Sequence, residues 1–253
     1  MTIKVDIGVV ATKSLWSRLP RLIESMQPSE TSITICAEEP SNLLQIPEQH
    51  LIWDSYIRTI RNALLANVAV LNNVPISEIT NLSADHPLPD WMSFRQLKKS
   101  EISLYYKHMQ IINNFLAGDR DYLLVLEDDV IIGKGFWKQL RLLASVDNID
   151  YIDLAGGCSL SLQGKLAPAL TLDESRVQLY NVPWRSGRTT CGYLLSRPCA
   201  YSFRHSAIEP YVLPIDWAFT LHFCHNRILD VCWAEGVKML HGSQTGYYNS
   251  SIL

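Results

Sequence analysis

Residues 122–132, YLLVLEDDVII, place three adjacent carboxylates between two apolar runs. The runs at 122–126 and 130–132 have the composition of a buried strand. Two carboxylates about 4 Å apart repel each other by roughly 4 kcal/mol at an effective dielectric of 20, and protonation, solvent or a cation must relieve that repulsion. Because apolar residues resume directly after Asp129, we expect a strand that carries a functional acidic cluster at its carboxyl end. The alternative is a strand that leaves the core at Glu127 and begins a solvated turn.

Strand-like and helix-like segments alternate on both sides of this stretch, which predicts an α/β/α sandwich with a mainly parallel sheet in a single domain, residues 1–253. Ligands of such sheets bind at the carboxyl ends of the strands. The predicted strands are 3–11, 31–37, 122–132, 148–156, 177–182, 190–195 and 227–235, and the predicted helices are 14–27, one from Ser55, 100–117, 136–146 and one from Pro214.

The composition excludes several classes of protein. A net charge of -3 across 253 residues gives no basic field for nucleic acid, so no nucleic-acid partner is expected. No apolar run approaches the 18 or so residues that span a bilayer. The six cysteines are dispersed and form no CxxC pair, which favours free thiols in a reducing cytoplasm over a zinc site or a disulfide framework. We therefore expect a soluble, cytoplasmic protein.

Four segments resemble glycosyltransferase family 25, which includes lipopolysaccharide sugar transferases. Residues 97–132 show a Ser-Glu-Ile helix start, a histidine seven positions after the glutamate and an apolar strand that ends in Glu-Asp-Asp. Residues 189–200 (TTCGYLLSRPCA) resemble the family's Thr-Ala-Gly-Tyr strand, 213–219 (LPIDWAF) its Pro-Ile-Asp helix start, and 241–252 its carboxyl-terminal ending. The resemblance implies a GT-A fold, a nucleotide-sugar donor and inversion at the anomeric carbon. Ser103 and Lys107 stand where the family has small residues.

The acidic cluster is the predicted metal and donor site. Carboxylate oxygens suit Mn²⁺ or Mg²⁺, which take their remaining ligands from phosphates and water. The resemblance implies that Asp129, the last acid, binds the metal directly. On an extended strand Glu127 shares a face with Asp129 and Asp128 points to the other, so Glu127 is a second metal candidate and Glu127 or Asp128 holds the ribose or donor sugar. His241 is the expected histidine ligand, with a structural histidine as the alternative.

Asp216 is the predicted catalytic base. An inverting transfer needs one carboxylate to take the proton from the acceptor hydroxyl as it attacks the donor carbon. Asp216 stands in LPIDWAF, the segment that resembles the family's Pro-Ile-Asp helix start. The alternative is an aspartate that only stabilises a helix N-terminus beside Pro214.

Further donor contacts are expected on three segments. Glu101 and His108 are seven residues apart, so they share one helix face about 10 Å apart along the axis, and the alternative for His108 is a hydrogen-bonded core histidine. Glu38 and Glu39 end the second strand, where a ribose or base contact or a solvated turn is expected. Arg185 and Arg188 have the side chain that grips phosphate or an anionic acceptor, with a surface loop as the alternative.

The sequence thus predicts an inverting enzyme that moves a hexose, galactose or a similar sugar, from a UDP-sugar to a hydroxyl of a glycan or lipid-linked glycan. Residues 1–95 form the predicted donor-nucleotide half and 96–253 the metal, catalytic and acceptor half. The helix at 14–27 covers the sheet or makes peripheral membrane contact through Arg18 and Arg21. The alternative function is a catalytically silent sugar- or metal-binding relative that acts in a glycan-assembly complex.

Overall fold

The computed structural model describes residues 4–26, 33–39, 97–156, 161–172, 176–182, 185–206, 213–243 and 245–248. A 3-10 helix spans Lys13–Arg18. The strands in these ranges are β1 (Val5–Val10), β2 (Ile33–Cys36), β3 (Tyr122–Glu127), β4 (Val130–Ile132), β5 (Tyr151–Asp153), β6 (Leu170–Leu172), β7 (Val177–Asn181), β8 (Gly192–Ser196), β9 (Val231–Glu235) and β10 (Met239–His241). The α-helices are α1 (Leu19–Ser25), α2 (Lys99–Ala117), α3 (Phe136–Ala144), α4 (Arg197–Arg204) and α5 (Ile215–His225).

Eight of these strands form one twisted sheet in the order β2-β1-β3-β8-β5-β9-β7-β6. Pairing is parallel along β2-β1-β3 and between β5 and β9, whereas β8 runs antiparallel to both of its neighbours. The outer strands β7 and β6 are also antiparallel to their partners. The predicted α/β class is therefore confirmed, with a mixed sheet in which the parallel strands carry their carboxyl ends to one edge.

Helices cover both faces of the sheet and complete the three predicted layers. On one face, α2, α4 and α5 bury apolar side chains such as Ile112, Phe203 and Phe219. On the other face, α1 and α3 bury Leu22 and Leu140. Each fully buried side chain of this size contributes roughly 1.5–3 kcal/mol. Gly8 lets helix α2 lie directly against β1, since a Cβ at this position would collide with the side chain of Ile111.

The acidic stretch turns where the sequence predicts continued strand. Strand β3 ends at Glu127, and Asp128 and Asp129 form a turn before β4 leaves the main sheet. The expectation that Glu127 and Asp129 share one face of an extended strand is therefore wrong, since alternation holds only within a strand. Strand β4 pairs antiparallel with β10 in a separate two-stranded sheet, with His241 opposite Val130.

The remaining expectations fall partly beyond the described residues. The helix predicted from Ser55, and with it most of the expected donor-nucleotide half at 1–95, lies outside them. The segment predicted as one helix at 14–27 is the 3-10 helix followed by α1. No helix in the described ranges combines the length and apolarity of a bilayer span. The five described cysteines, 36, 191, 199, 224 and 232, are free.

Candidate active site

Asp129 occupies the turn after β3 and receives several hydrogen bonds. The residue is 5% exposed. Carboxylate oxygen Oδ2 lies 3.2 Å from His241 Nε2, accepts a bond of 3.3 Å from the Ser243 backbone N–H, and accepts a short bond from the Ser243 hydroxyl. Burial alone would raise the pKa of Asp129, but the hydrogen bonds from His241 and Ser243 outweigh it and lower the pKa to about 2. Asp129 is therefore ionised across the physiological range.

The two-stranded sheet explains how His241, more than 100 residues away in sequence, reaches Asp129. Pairing of β4 with β10 places His241 beside the turn, and the backbone N–H of Gly242 donates to the Asp129 carbonyl at 2.9 Å. A Cβ on Gly242 would collide with that carbonyl oxygen and with the ring of Tyr248, so only glycine permits this approach. Burial lowers the pKa of His241, but the hydrogen bond to Asp129 and the negative charges of Asp129, Glu127 and Asp153 together raise it above its ordinary value.

The Asp129 cluster has the donor atoms of a divalent-metal site. A carboxylate oxygen of Asp129, a ring nitrogen of His241 and the sulfur of Cys191 lie within 4.8 Å of one another. Atom Nδ1 of His241 is buried and has no hydrogen-bond partner among the residues that the structure describes. This mixed set fits a first-row divalent ion. The structure thus brings together Asp129 and His241, two of the three predicted ligands. The third donor atom of the cluster belongs to Cys191 and not to Glu127.

Glu127 faces a different group of side chains. Its Oε1 accepts a bond of 2.8 Å from the Thr190 hydroxyl and lies 3.5 Å from His108 Nε2. His108 is fully buried, and its Nδ1 lies 2.9 Å from the Tyr193 hydroxyl. His108 is thus a hydrogen-bonded core histidine, as the alternative held, and it also adjoins the first acid of the cluster.

Asp128 holds the turn against the end of β1. Its carboxylate accepts a hydrogen bond of 2.9 Å from the Thr12 backbone N–H and one of 3.2 Å from Arg18. The side chains of Arg18 and Asp128 are each only 8% exposed. Burial raises the pKa of Asp128, while the bonds from Thr12 and Arg18 act against the rise. Arg18 also lies 4.8 Å from the ring centre of Tyr248. The second acid therefore ties the turn to the 3-10 helix and the carboxyl-terminal segment.

Asp216 stands at the start of α5 with a half-buried carboxyl group. Its Oδ1 accepts a hydrogen bond of 2.9 Å from the Trp217 backbone N–H, so Asp216 makes the contact with the helix N-terminus that the alternative interpretation expected. Burial raises the pKa of Asp216 to about 6, and the negative charges of Glu101 and Glu127 add to the rise. A carboxyl group with such a pKa exchanges a proton near neutral pH, which suits a general base.

A cavity of about 250 Å³ opens between the acidic turn and α2 at the carboxyl ends of β1 and β2. In α/β sheets this edge is where ligands bind. The lining residues are Val10, Thr12, Glu39, Lys99, Ser100, Ser103, Leu104, Lys107, Glu127 and Asp128.

The two departures from the family pattern line this cavity and share one partner. The Glu39 carboxylate accepts a hydrogen bond of 2.7 Å from Lys107 Nζ and a short hydrogen bond from the Ser103 hydroxyl. Burial would raise the pKa of Glu39, but these two bonds lower it. Lys107 is itself buried, so the pair fastens the end of β2 to α2. Ser103 and Lys107 therefore hold Glu39 in the wall of the cavity.

Two other predicted donor contacts have local partners. Glu101 caps the N-terminus of α2, because its Oε2 accepts a hydrogen bond of 2.9 Å from the Lys98 backbone N–H. Glu38 is exposed, and one of its carboxylate oxygens lies 4.0 Å from Lys13 Nζ. Glu39, one residue later, is the acid that enters the cavity wall.

The structure does not bring Arg185 or Arg188 to the acidic turn. The Arg188 side chain is fully buried. Its backbone N–H donates a hydrogen bond of 2.7 Å to Asp153 Oδ2, and its Nη1 donates one of 2.8 Å to Glu235. Arg185 Nη1 donates at 2.7 Å to the Leu229 carbonyl, near the amino end of β9 and hence at the opposite edge of the sheet. Both guanidinium groups are occupied by protein oxygens.

Sequence reasoning missed four side chains that hold the acids: Arg18, Thr190, Cys191 and Ser243. Thr190 and Cys191 precede β8, and because β8 runs antiparallel to β3 they lie beside the end of β3. The TTCGYLL segment is recognisable as a strand, but its direction within the sheet is not. Ser243 follows His241 in the HGS triplet, which is the only local signal for it.

Comparisons with known proteins bear on the site's identity. The family description "Glycosyltransferase family 25 (LPS biosynthesis protein)" matches residues 77–219. No curated protein matches the chain. Among solved structures, the STIV protein A197 has 10% identity over 94% of this chain and 85% of that chain, with a TM-score of 0.41. A glycosyltransferase involved in the glycosylation of the major capsid of PBCV-1 has 12% identity over 96% of this chain and 98% of that chain, with a TM-score of 0.43.

Proposed function

Because this chain belongs to glycosyltransferase family 25, we propose that it is an inverting, metal-dependent enzyme that moves a hexose from a UDP-sugar to a hydroxyl of a surface glycan. Family membership makes it a glycosyltransferase with a nucleotide-sugar donor and a glycan acceptor. The family description names lipopolysaccharide biosynthesis, so we propose lipopolysaccharide or another lipid-linked glycan as the acceptor. Galactose or a similar hexose is the proposed donor sugar.

The pairing of Asp129 with His241 at 3.2 Å, directly after the two acids that line the cavity, Glu127 and Asp128, is the observation that carries this proposal. Asp129 is ionised and His241 offers a ring nitrogen, so the two residues would hold Mn²⁺ or Mg²⁺. A divalent ion bound there supplies positive charge that stabilises a departing nucleoside diphosphate.

The cavity is the proposed binding site for the nucleoside and sugar parts of the donor. Glu39, Ser103 and Lys107 form one wall, and Glu127 and the turn form the other. The carboxylate of Asp128 is already paired with Arg18, so Glu127 is the better candidate for a hydrogen bond to a ribose or sugar hydroxyl. Three of the ten lining residues belong to the proposed donor-nucleotide half at 1–95 and seven to 96–253, so both halves contribute to the proposed donor site.

Asp216 is the proposed base. The acceptor oxygen forms a bond to the anomeric carbon, the bond from that carbon to the diphosphate breaks, and the hydroxyl proton passes to Asp216. By analogy with glycoside hydrolysis, positive charge develops on the sugar ring in the transition state. A pKa of about 6 leaves Asp216 mostly ionised at pH 7 and makes it a stronger base than an ordinary aspartate.

Release of UDP from a panel of nucleotide sugars tests this function. The protein is incubated with each donor, with and without Mn²⁺, first alone and then with lipid-linked glycan acceptors. We expect Mn²⁺-dependent release of UDP from one UDP-hexose, faster with the right acceptor, and a loss of release in the Asp216→Asn variant. Binding of a nucleotide sugar, seen as a thermal shift, without any release would support the silent binding relative instead.

A further inference from the structure

Cys191 is the one thiol in the described residues that lies within the Asp129 and His241 cluster. It immediately precedes β8 and is 1% exposed. Its Sγ lies 3.5 Å from Asp129 Oδ1, on the opposite carboxylate oxygen from the one that contacts His241.

The three side chains lie close enough to one another to converge on one ion. Ligand atoms about 2.0–2.3 Å from a tetrahedral ion lie roughly 3.3–3.8 Å apart. Asp129 Oδ2 lies 3.2 Å from His241 Nε2 and Asp129 Oδ1 lies 3.5 Å from Cys191 Sγ, and one donor atom from each of the three residues fits within 4.8 Å. Side-chain shifts would bring these three atoms to the separations of a three-ligand site. His241 is 16% exposed and gives an ion a route from solvent.

We propose that Cys191 is a third ligand of this site and that its sulfur raises the affinity of the site for thiophilic divalent ions such as Zn²⁺, Co²⁺ and Cd²⁺, while Asp129 and His241 still hold Mn²⁺ or Mg²⁺. Thiolate is a soft ligand that favours the thiophilic ions, whereas carboxylate oxygens suit Mg²⁺ and Mn²⁺. This inference rests on the proposed metal site and deepens it by naming a further ligand and the ions that this ligand favours. It revises the expectation that dispersed cysteines exclude a metal role, since CxxC pairing is needed only when cysteines supply the whole site.

Cobalt binding to the full chain tests the role of the sulfur independently of activity. Thiolate bound to Co²⁺ gives a charge-transfer absorption in the near ultraviolet, which oxygen and nitrogen ligands do not give. We expect this band in the wild-type protein and its loss in Cys191→Ala and Cys191→Ser. Cd²⁺ affinity should fall at least roughly tenfold in both variants, with a smaller change for Mn²⁺.

Cys199→Ala is the matched control. Cys199 is also buried but follows β8 at the opposite edge of the sheet, so its removal should leave the band and the Cd²⁺ affinity unchanged. The serine variant nearly keeps the volume of cysteine, and the melting temperatures of the variants separate loss of a ligand from loss of the fold.

The outcomes distinguish this inference from the function on which it rests. Saturable Co²⁺ binding without the band, or a band that survives in both Cys191 variants, overturns the thiolate ligand and leaves the Asp129 and His241 site standing. Absence of binding by every ion tested, or binding that persists unchanged in both Asp129→Asn and His241→Ala, overturns the metal site itself.

Discussion

Asp129 and Asp216 belong to one proposed site, yet their surroundings shift their pKa values in opposite directions. At the turn after β3, hydrogen bonds from His241 and Ser243 lower the pKa of Asp129 to about 2 in spite of its burial. At the start of α5, burial dominates and raises the pKa of Asp216 to about 6, although the Trp217 N–H acts against it. Depth in the protein is therefore a poor guide to the charge of a carboxylate, and the number of donors around it decides.

The contrast assigns the two acids to different chemical tasks. A carboxylate that stays ionised at every physiological pH suits a cation, and one that titrates near neutrality suits proton transfer. The negative charge of Glu127 lies close enough to raise the pKa of Asp216, so the two regions are coupled through the first acid of the cluster. Each prediction below changes one side of this comparison.

Substitution of Asp216 by asparagine should have the largest effect. The amide keeps the hydrogen bond from Trp217 but cannot take a proton, so we expect the transfer rate to fall by roughly 10²–10⁴. Mn²⁺ affinity, measured by calorimetry, should stay unchanged. The control is Asp147→Asn at an exposed position, which should retain full activity. Full activity of Asp216→Asn would remove the base assignment.

Substitution of Asp129 should act on the metal rather than on the proton. We expect Asp129→Asn and His241→Ala each to lower Mn²⁺ affinity by roughly 10–100-fold, because each removes one ligand. Both variants should recover part of their activity at high Mn²⁺, whereas Asp216→Asn should not. Unchanged Mn²⁺ affinity in His241→Ala would show that this histidine is structural.

The stability of Asp216→Asn should reveal the cost of the raised pKa. The folded value of about 6 lies above the ordinary 3.8, so the unfolded chain ionises first and the wild-type fold loses stability as pH rises from about 4 to about 6. Above that window the penalty is about 1–3 kcal/mol, and asparagine does not incur it. The variant should melt at a higher temperature than the wild type at pH 8, with a much smaller difference at pH 4. An equal difference at both pH values would contradict the raised pKa.

The smallest predicted effect is a shift in the pH profile of activity. Activity should fall as pH drops through about 6, where Asp216 becomes protonated. Glu127→Gln removes a negative charge that raises this pKa, so the acidic limb should move to lower pH by less than about one unit, whatever the loss in maximum rate. A limb that moves upward or stays fixed would break the link between the two regions.

The fold was largely predictable because hydrophobic periodicity marks most of the described elements. The helix predicted at 100–117 is found at Lys99–Ala117, and the strands around Ile7, Leu124 and Trp233 lie where their apolar runs indicate. Strand direction was not predictable, since periodicity within a strand is the same in both directions. The antiparallel β8 therefore placed Cys191 beside Asp129 without any warning in the sequence.

The positions of candidate site residues could be predicted where they belong to a recognisable motif. They could not be predicted where the burial of a side chain determines its partners. The pairing of Asp129 with His241 follows the prediction, because the resemblance supplied both residues. Arg188 has the side chain of a phosphate contact, but Asp153 and Glu235 occupy its donors in the interior. Long-range ion pairs of this kind, including the one from Lys107 to Glu39, depend on a topology that no local pattern encodes.

Calorimetric titration of UDP into the wild-type protein and Asp129→Asn, each with and without Mn²⁺, tests the metal site most directly. Asp129 and His241 would hold the ion, and its positive charge would favour binding of the diphosphate, so UDP should bind the wild type much more tightly with Mn²⁺, and Asp129→Asn should lose most of that gain. Equal UDP affinity with and without Mn²⁺ in the wild type, or an undiminished gain in the variant, would contradict the account.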